Sequence, residues 1–309
     1  MTIALNNHVV FLMGPTASGK TDLAIEISKR INSKLISVDS ALIYRGMDIG
    51  TAKPDKNTLL IHPHELVDIC EPEDSFSVTE FISLAKEHIK SALAEGKLPI
   101  LVGGTSFYFN ALEHGLSKLP PSTDESRKYF NDLLKNKGSQ TLHSELAEID
   151  PESAARIHSN DSQRVTRALE VHHLSGEILS KLQGNKNQNK LDLNIKKVVL
   201  MPERVELHKR IELRFIQMIK DGFLDEVEVL RKNPKLNLDL ASMRCVGYRQ
   251  AWRYFEGDYS KEEMIERSII ATRQLCKRQC TWLRDEDQAL KLKRLDIEKV
   301  IKFLQKRAS

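Results

Sequence analysis

The sequence predicts an α/β fold, a parallel sheet flanked by helices and interrupted by an all-helical insertion domain. Three observations carry this expectation. Short apolar runs alternate with segments of helical periodicity over much of the chain. The first run leads directly into Gly14-Pro15-Thr16-Ala17-Ser18-Gly19-Lys20-Thr21, a glycine loop of the pattern G-x-x-x-x-G-K-[ST]. Near Leu119 the alternation stops, and helical patterns alone continue to about residue 195.

Taken in order, His8–Met13, Lys34–Val38, Leu98–Val102 and Lys197–Met201 are short, rich in Val, Ile and Leu, and bounded by turn residues or helical patterns. Buried parallel strands read this way. Leu66–Cys70 is a candidate fifth strand. After the glycine loop, Leu23, Ala24, Ile27 and Ile31 recur as one face of an amphipathic helix. Strand, glycine loop and helix together make a P-loop NTPase-like core. Ser77–Glu95 reads as a helix that stops at Gly96. Pro120-Pro121-Ser122-Thr123 opens the insertion and the polar Gly184–Lys190 closes it, with helical patterns at Glu125–Lys135, Thr141–Ile149 and Asp161–Leu174 between them. Glu206–Leu304 reads as helical, and Ser260-Lys261-Glu262-Glu263 fits a capping box at the head of a helix reaching Arg284. The expected organisation is a core over 1–118, a lid-like insertion over 119–195, and core completion with a basic helical part over 196–309.

Composition narrows the function classes. Hydrophobic residues at 40% and charged residues at 29% describe a globular chain with ample core. No apolar run approaches the roughly 20 residues that span a bilayer. Met1–Asn7 has neither a basic region nor a long apolar core, so no secretion signal is expected. Four sparse cysteines fit a reducing cytosol. Cys276 and Cys280 lack paired histidines at zinc-finger spacing and read as buried small apolar residues. Residues 1–195 carry 21 basic and 25 acidic groups, whereas residues 196–309 carry 26 and 18. The basic final third points to a polyanionic partner or to a solvated basic surface.

The glycine loop is a phosphate cradle: its N–H groups and the helix N-terminus favour anions, Lys20 reaches terminal phosphates, and Thr21 offers a hydroxyl to Mg²⁺. It does not say which polyphosphate is held. An ATP hydrolase keeps a carboxylate at the end of a neighbouring strand, yet Leu98–Val102 runs into Gly103-Gly104-Thr105. The strand-end acid is Asp39 instead, which is placed either to hold an acceptor and take its proton or merely to start a turn. Thr105 could orient a diphosphate oxygen or cap a helix. Arg210 and Arg214, four apart, could clamp a diphosphate or face solvent. A small-molecule or nucleotide kinase with a helical lid is the alternative reading, although it has no use for the acid-free run Ile269–Arg284 with Arg273, Lys277 and Arg284 on one face. A nucleic-acid-dependent ATPase is a third reading, weakened by the missing acid after Val102.

The set Gly14–Thr21, Val38-Asp39-Ser40-Ala41-Leu42 continuing to Pro54, Gly103-Gly104-Thr105, Gln163–Glu170 and Arg244–Gln250 resembles the tRNA dimethylallyltransferase (isopentenyltransferase) family over about residues 8–284. The resemblance implies transfer of a dimethylallyl group from dimethylallyl diphosphate to N6 of the adenosine 3′-adjacent to the tRNA anticodon, with Mg²⁺. The cradle then holds the diphosphate leaving group, with Lys20, Asp39 and Thr105 as catalytic residues. The resemblance also implies tRNA contacts at Asp39, Ser40, Ala41, Leu42, Thr105 and Arg127. It adds Gln163, Arg164, Val165, Thr166 and Arg167, then Arg244, Cys245, Val246, Gly247, Tyr248 and Arg249. Taken by themselves, Arg164 and Arg167 read as a solvated helix face. Eukaryotic relatives carry a C-terminal zinc finger, and this sequence stops at Ser309 without one. That suggests a bacterial-type enzyme; a cytoplasmic location, as the cysteines suggest, and a monomeric state are separate expectations.

Overall fold

In the computed structural model, which describes residues 8–183 and 190–306, the chain forms two compact units, Met1–Asn110 with Asp192–Ser309, and Ala111–Leu191. The N-terminal leader expectation and most of the polar Gly184–Lys190 exit fall outside the described residues.

In the first unit, β1 (His8–Met13) runs into α1 (Lys20–Ser28), β2 (Ser33–Val38), α2 (Lys56–Ile61), β3 (His64–Glu65), α3 (Val78–Ala94) and β4 (Leu98–Gly103), and α4 (Ser106–His114) carries the chain across the boundary after Asn110. The second unit holds α5 (Asp124–Ile149), α6 (Pro151–Arg156), α7 (Ser162–Ser175) and α8 (Leu179–Gln183). The chain then returns through β5 (Asn194–Leu200), α9 (Arg204–Lys220), α10 (Phe223–Arg231), α11 (Tyr248–Phe255), α12 (Lys261–Arg284), β6 (Leu290–Leu292) and α13 (Ile297–Gln305).

The six strands among the described residues are all parallel, in the order β3-β2-β4-β1-β5-β6. A parallel sheet is covered on both faces, which is why β1 and β4 are apolar almost throughout. One face packs Leu23, Ala24 and Ile27 of α1 and Val300 and Leu304 of α13 onto Val10, Leu12, Ile100 and Val198. A second core gathers Met47, Ile211, Phe215, Phe223, Met243, Tyr248 and Trp252 from the loop after β2 and the C-terminal helices.

Three expectations are corrected. Leu66–Cys70 is not a strand: Leu66 and Asp68 take left-handed backbone angles (φ 65° and 54°), so the edge strand is the two-residue β3 just before them. Glu206–Leu304 is not continuously helical, because residues 232–247 form turns and the three-residue β6 adds a strand too short to show a period. Cys280 is half-buried rather than buried, and all four cysteines are free. The fourth main strand begins earlier than expected, at Asn194.

The second unit has its own core of Phe130, Leu142, Leu146, Val165, Ala168, Val171 and Leu179. α5 is two helices broken at Gly138 (φ 77°, ψ 161°), a conformation that costs glycine least. Thr123 and Ser126 close a capping box at its head.

Candidate active site

Register brings the site together. Met13 of β1 and Val38 of β2 both pair with Gly103 of β4, so Gly14, Asp39 and Gly104 leave the sheet side by side at its carboxyl edge. Open α/β sheets bind ligands at that edge. Gly103 must lack a side chain, because a Cβ there would stand 2.0 Å from the Val38 carbonyl oxygen.

The loop between β1 and α1 is held from several sides. Gly14 N–H donates to the Gly103 carbonyl at 3.3 Å, and Gly19 turns into α1 with φ 89°. Lys20 Nζ lies 3.3 Å from the Pro15 carbonyl. Burial pulls the Lys20 ammonium down to about 8; Asp39 and Cys276 oppose the shift and Arg214 adds to it. A diphosphate bound there would favour the charged form, and its binding at alkaline pH would draw a proton onto Lys20. Affinity for diphosphate is expected to fall as pH rises through about 8, by up to about tenfold per unit. Calorimetry in two buffers of different ionisation heat, with Lys20→Gln as reference, checks this. Equal proton uptake by the two proteins would refute the role of Lys20. The same depressed value means that the ligand-free fold gains stability from this group between about 8 and 10.5, where the unfolded chain binds more protons.

Two arginines of α9, Arg210 and Arg214, reach the loop. Arg210 Nη1 donates to the carbonyls of Ser18 (3.2 Å) and Ala17 (3.4 Å), and its other nitrogen pairs with Glu206. Arg214 is largely buried and donates to Thr16 Oγ1, and burial lowers its pKa against the pull of Asp39. From α12, Gln279 spans two backbone groups, accepting from Thr16 N–H and donating to the Gly104 carbonyl, each at 2.9 Å.

Asp39 Oδ1 accepts from the N–H of Ala41 at 2.9 Å and of Leu42 at 3.4 Å, a turn that fixes the carboxylate at the strand end. The turn and the strand-end placement therefore coexist. The Thr105 hydroxyl accepts from Ser40 N–H at 3.1 Å and lies 3.5 Å from Ser40 Oγ, tying the ends of β2 and β4 together. Thr21 stands in the first turn of α1.

Beyond Asp39 the loop is anchored by residues the sequence reading did not single out. The Glu226 carboxylate accepts from the N–H groups of Asp48 (2.9 Å), Ile49 (2.7 Å) and Gly50 (3.1 Å) and from the Tyr248 phenol (2.5 Å). Burial pushes the Tyr248 phenol far up, reinforced by Glu226. Lys53, with its side chain 3% exposed, donates to the Tyr44 carbonyl and to Asp48 and Asp68. One signal for Glu226 is present in the sequence: it falls on the apolar stripe Phe223, Val227, Leu230 of α10. For Gln279 the comparable signal is its place near the buried positions Cys276 and Leu283 of α12.

The remaining candidates divide by burial. Ser40, Arg244 and Arg249 are exposed, and Ala41, Leu42, Cys245 and Val246 are half-buried; burial raises the Cys245 thiol to about 12. Tyr248 is fully buried, with its ring edge-on to Phe223, so its side chain is committed to packing. Gly247 (φ 92°) donates to Gln250 Oε1 ahead of α11. In the second unit, Arg127, Gln163 and Arg164 are exposed and Thr166 is half-buried, while Val165 belongs to the core. Arg167 is no solvated face: it donates to the Pro120 carbonyl, Ser122 and Glu170, and Glu170 also accepts from Ser122 and Ser126. On α12, Arg273 pairs with Glu212 at 2.7 Å, whereas Lys277, Arg278 and Arg284 are exposed.

A parallel sheet with a glycine loop of the phosphate-binding pattern after β1 and a carboxylate at the end of β2 defines a P-loop-like α/β protein. Comparison with known proteins narrows this. The family described as IPP transferase matches residues 42–286. A tRNA dimethylallyltransferase of Ruthia magnifica subsp. Calyptogena magnifica is 60% identical over 304 residues, covering 98% of this chain and 99% of that protein. One from Vesicomyosocius okutanii subsp. Calyptogena okutanii is 59% identical with the same coverage. The crystal structure of the full-length tRNA isopentenylpyrophosphate transferase from Bacillus halodurans is 35% identical, with a TM-score of 0.69, covering 97% of this chain and 94% of that one. The chain belongs to the IPP transferase family.

Proposed function

We propose that the protein transfers a dimethylallyl group from dimethylallyl diphosphate to N6 of the adenosine 3′-adjacent to the anticodon of a tRNA, releasing diphosphate. Beside family membership, one observation carries this reading: the phosphate cradle with Lys20 and the Asp39 carboxylate stand at adjacent strand ends, while β4 ends in Gly103-Gly104-Thr105. The allylic C–O bond breaks as the N6–C bond forms. The loop N–H groups and Lys20 stabilise charge growing on the leaving oxygen, and Asp39 takes the proton from N6. Arg214 adds positive charge beside Thr16. Thr105 and Ser40 shape the place where amine and allylic carbon meet. The target base must leave its stack to enter, which costs less in a loop than in a duplex.

Mg²⁺, when bound, would be held by the Thr21 hydroxyl and diphosphate oxygens, the hard ligands it prefers. When bound it neutralises leaving-group charge. No helix among the described residues is long and apolar enough to cross a membrane, and we read the protein as a cytoplasmic monomer.

Incubation with labelled dimethylallyl diphosphate, Mg²⁺ and tRNA is expected to move label onto the RNA without any nucleotide. Transfer from γ-labelled ATP to a small acceptor, or tRNA-stimulated ATP hydrolysis, with no allylic transfer, would establish the kinase or ATPase alternative instead.

The RNA is expected to meet the exposed charges of α12 and the loop before α11. Because Arg273 is already paired with Glu212, Lys277 and Arg278 are the better test. Their joint replacement by glutamine is expected to weaken RNA binding and to lower the slope of log K against log salt by about one to two. Titrations at several salt concentrations that superimpose on the parent protein would remove α12 from the RNA site.

A further inference from the structure

Gln279 joins the helix that carries the exposed basic face to both halves of the phosphate cradle. It lies on α12 among exposed Lys277, Arg278 and Arg284, yet its carboxamide points inward. Oε1 accepts from Thr16 N–H inside the glycine loop, and Nε2 donates to the Gly104 carbonyl at the end of β4. The approach is close enough that a Cβ on Gly104 would stand 2.6 Å from Nε2. A carboxamide has one accepting and one donating end, so this pair of bonds fixes its orientation and leaves neither end interchangeable. Thr16 is gripped a second time, through its hydroxyl, by Arg214. The backbone N–H of Thr16, a group of the glycine loop, is therefore set by a side chain of α12.

We propose that Gln279 is a positioning residue that couples RNA docking on α12 to the affinity of the cradle for the donor's diphosphate. The inference rests on the proposed function for the identity of the two ligands. Anything that shifts or stiffens α12 moves Thr16 and Gly104 together, and an anion that orders the loop reports back along the same two bonds. Coupling of this kind is reciprocal: RNA tightens diphosphate by the same factor that diphosphate tightens RNA.

The test measures binding of inorganic diphosphate with Mg²⁺ alone and with a saturating anticodon stem-loop RNA. In the parent protein RNA is expected to tighten diphosphate by about tenfold. In Gln279→Ala that factor is expected to fall below about twofold, while each ligand alone still binds. Gln279→Glu keeps an acceptor for Thr16 and nearly the same volume but cannot donate to Gly104. It is expected to lose the coupling as well, and it carries the test where the alanine variant does not fold. In turnover, KM for the donor should rise at saturating RNA while the single-turnover rate at saturating donor stays within about threefold. Variants that weaken both ligands equally and keep the parent coupling factor would make Gln279 a structural strut and overturn the proposal. Parent protein that binds RNA with no change in diphosphate affinity overturns the coupling alone. RNA that fails to bind the parent protein overturns the proposed function with it.

Discussion

Replacing Asp39 by alanine is expected to lower turnover by at least about a hundredfold while leaving RNA affinity nearly unchanged, the pattern of a lost general base. The carboxylate emerges from β2 beside the phosphate loop, and one of its oxygens is occupied by the N–H groups of Ala41 and Leu42. That division of labour separates two explanations for any loss. Asparagine keeps an oxygen for the turn but cannot accept the amine proton, so Asp39→Asn should fold the loop and still lose the chemistry. Alanine removes both contributions. Single-turnover rates at saturating RNA and donor isolate the step itself. Near-normal chemistry in the asparagine variant would reduce Asp39 to a turn-forming residue and move the base elsewhere.

The parts of the site that were legible in sequence are those whose determinants are local. The glycine loop needs its glycines and Lys20 within eight residues of chain, and Asp39 is marked by the apolar run it ends. The strand order places these two segments at one edge, because β4 inserts between β1 and β2 with their ends level. What escaped is non-local. Gln279 and Glu226 act on loops far away in sequence, and helical periodicity reports only which face of a helix is buried, not what it touches; Arg214 was marked only by its spacing from Arg210. β6 has three residues and β3 two, below the length at which a period can be counted. Some residues that the resemblance assigns to RNA are packed or hydrogen-bonded within the protein. Val165 and Tyr248 stand within motif runs whose exposed members surround them, and Arg167 is consumed by Glu170 and Ser122.

Glu226→Ala is expected to produce the largest loss of structure near the site, and through it a loss of activity without touching any reacting atom. Three consecutive loop amides and a buried phenol converge on this one carboxylate, and no other described acceptor serves those amides. Leaving a buried donor unpaired costs about 1–3 kcal/mol. With the amides only partly buried, a cost of at least about 3 kcal/mol for the set is a conservative expectation. Water can enter to meet some of them, but Gly50 is pressed against Phe223 and Tyr248, where even a Cβ would stand 2.3 Å and 2.6 Å from the rings, so there is little room for it. The loop would open instead, releasing the segment from Asp39 to Pro54 and with it the turn that aims Asp39. Tyr248→Phe, which removes one bond and keeps the ring, should cost only about 1 kcal/mol. Because the chain has two compact units, global melting need not be two-state, and a local probe is the sharper measurement. Amide exchange at Asp48, Ile49 and Gly50 should accelerate by about a hundredfold or more in Glu226→Ala, with β1 and β4 amides little affected. Unchanged protection at those three amides would show that the loop is held by its apolar contacts, and that the carboxylate only decorates a turn already formed.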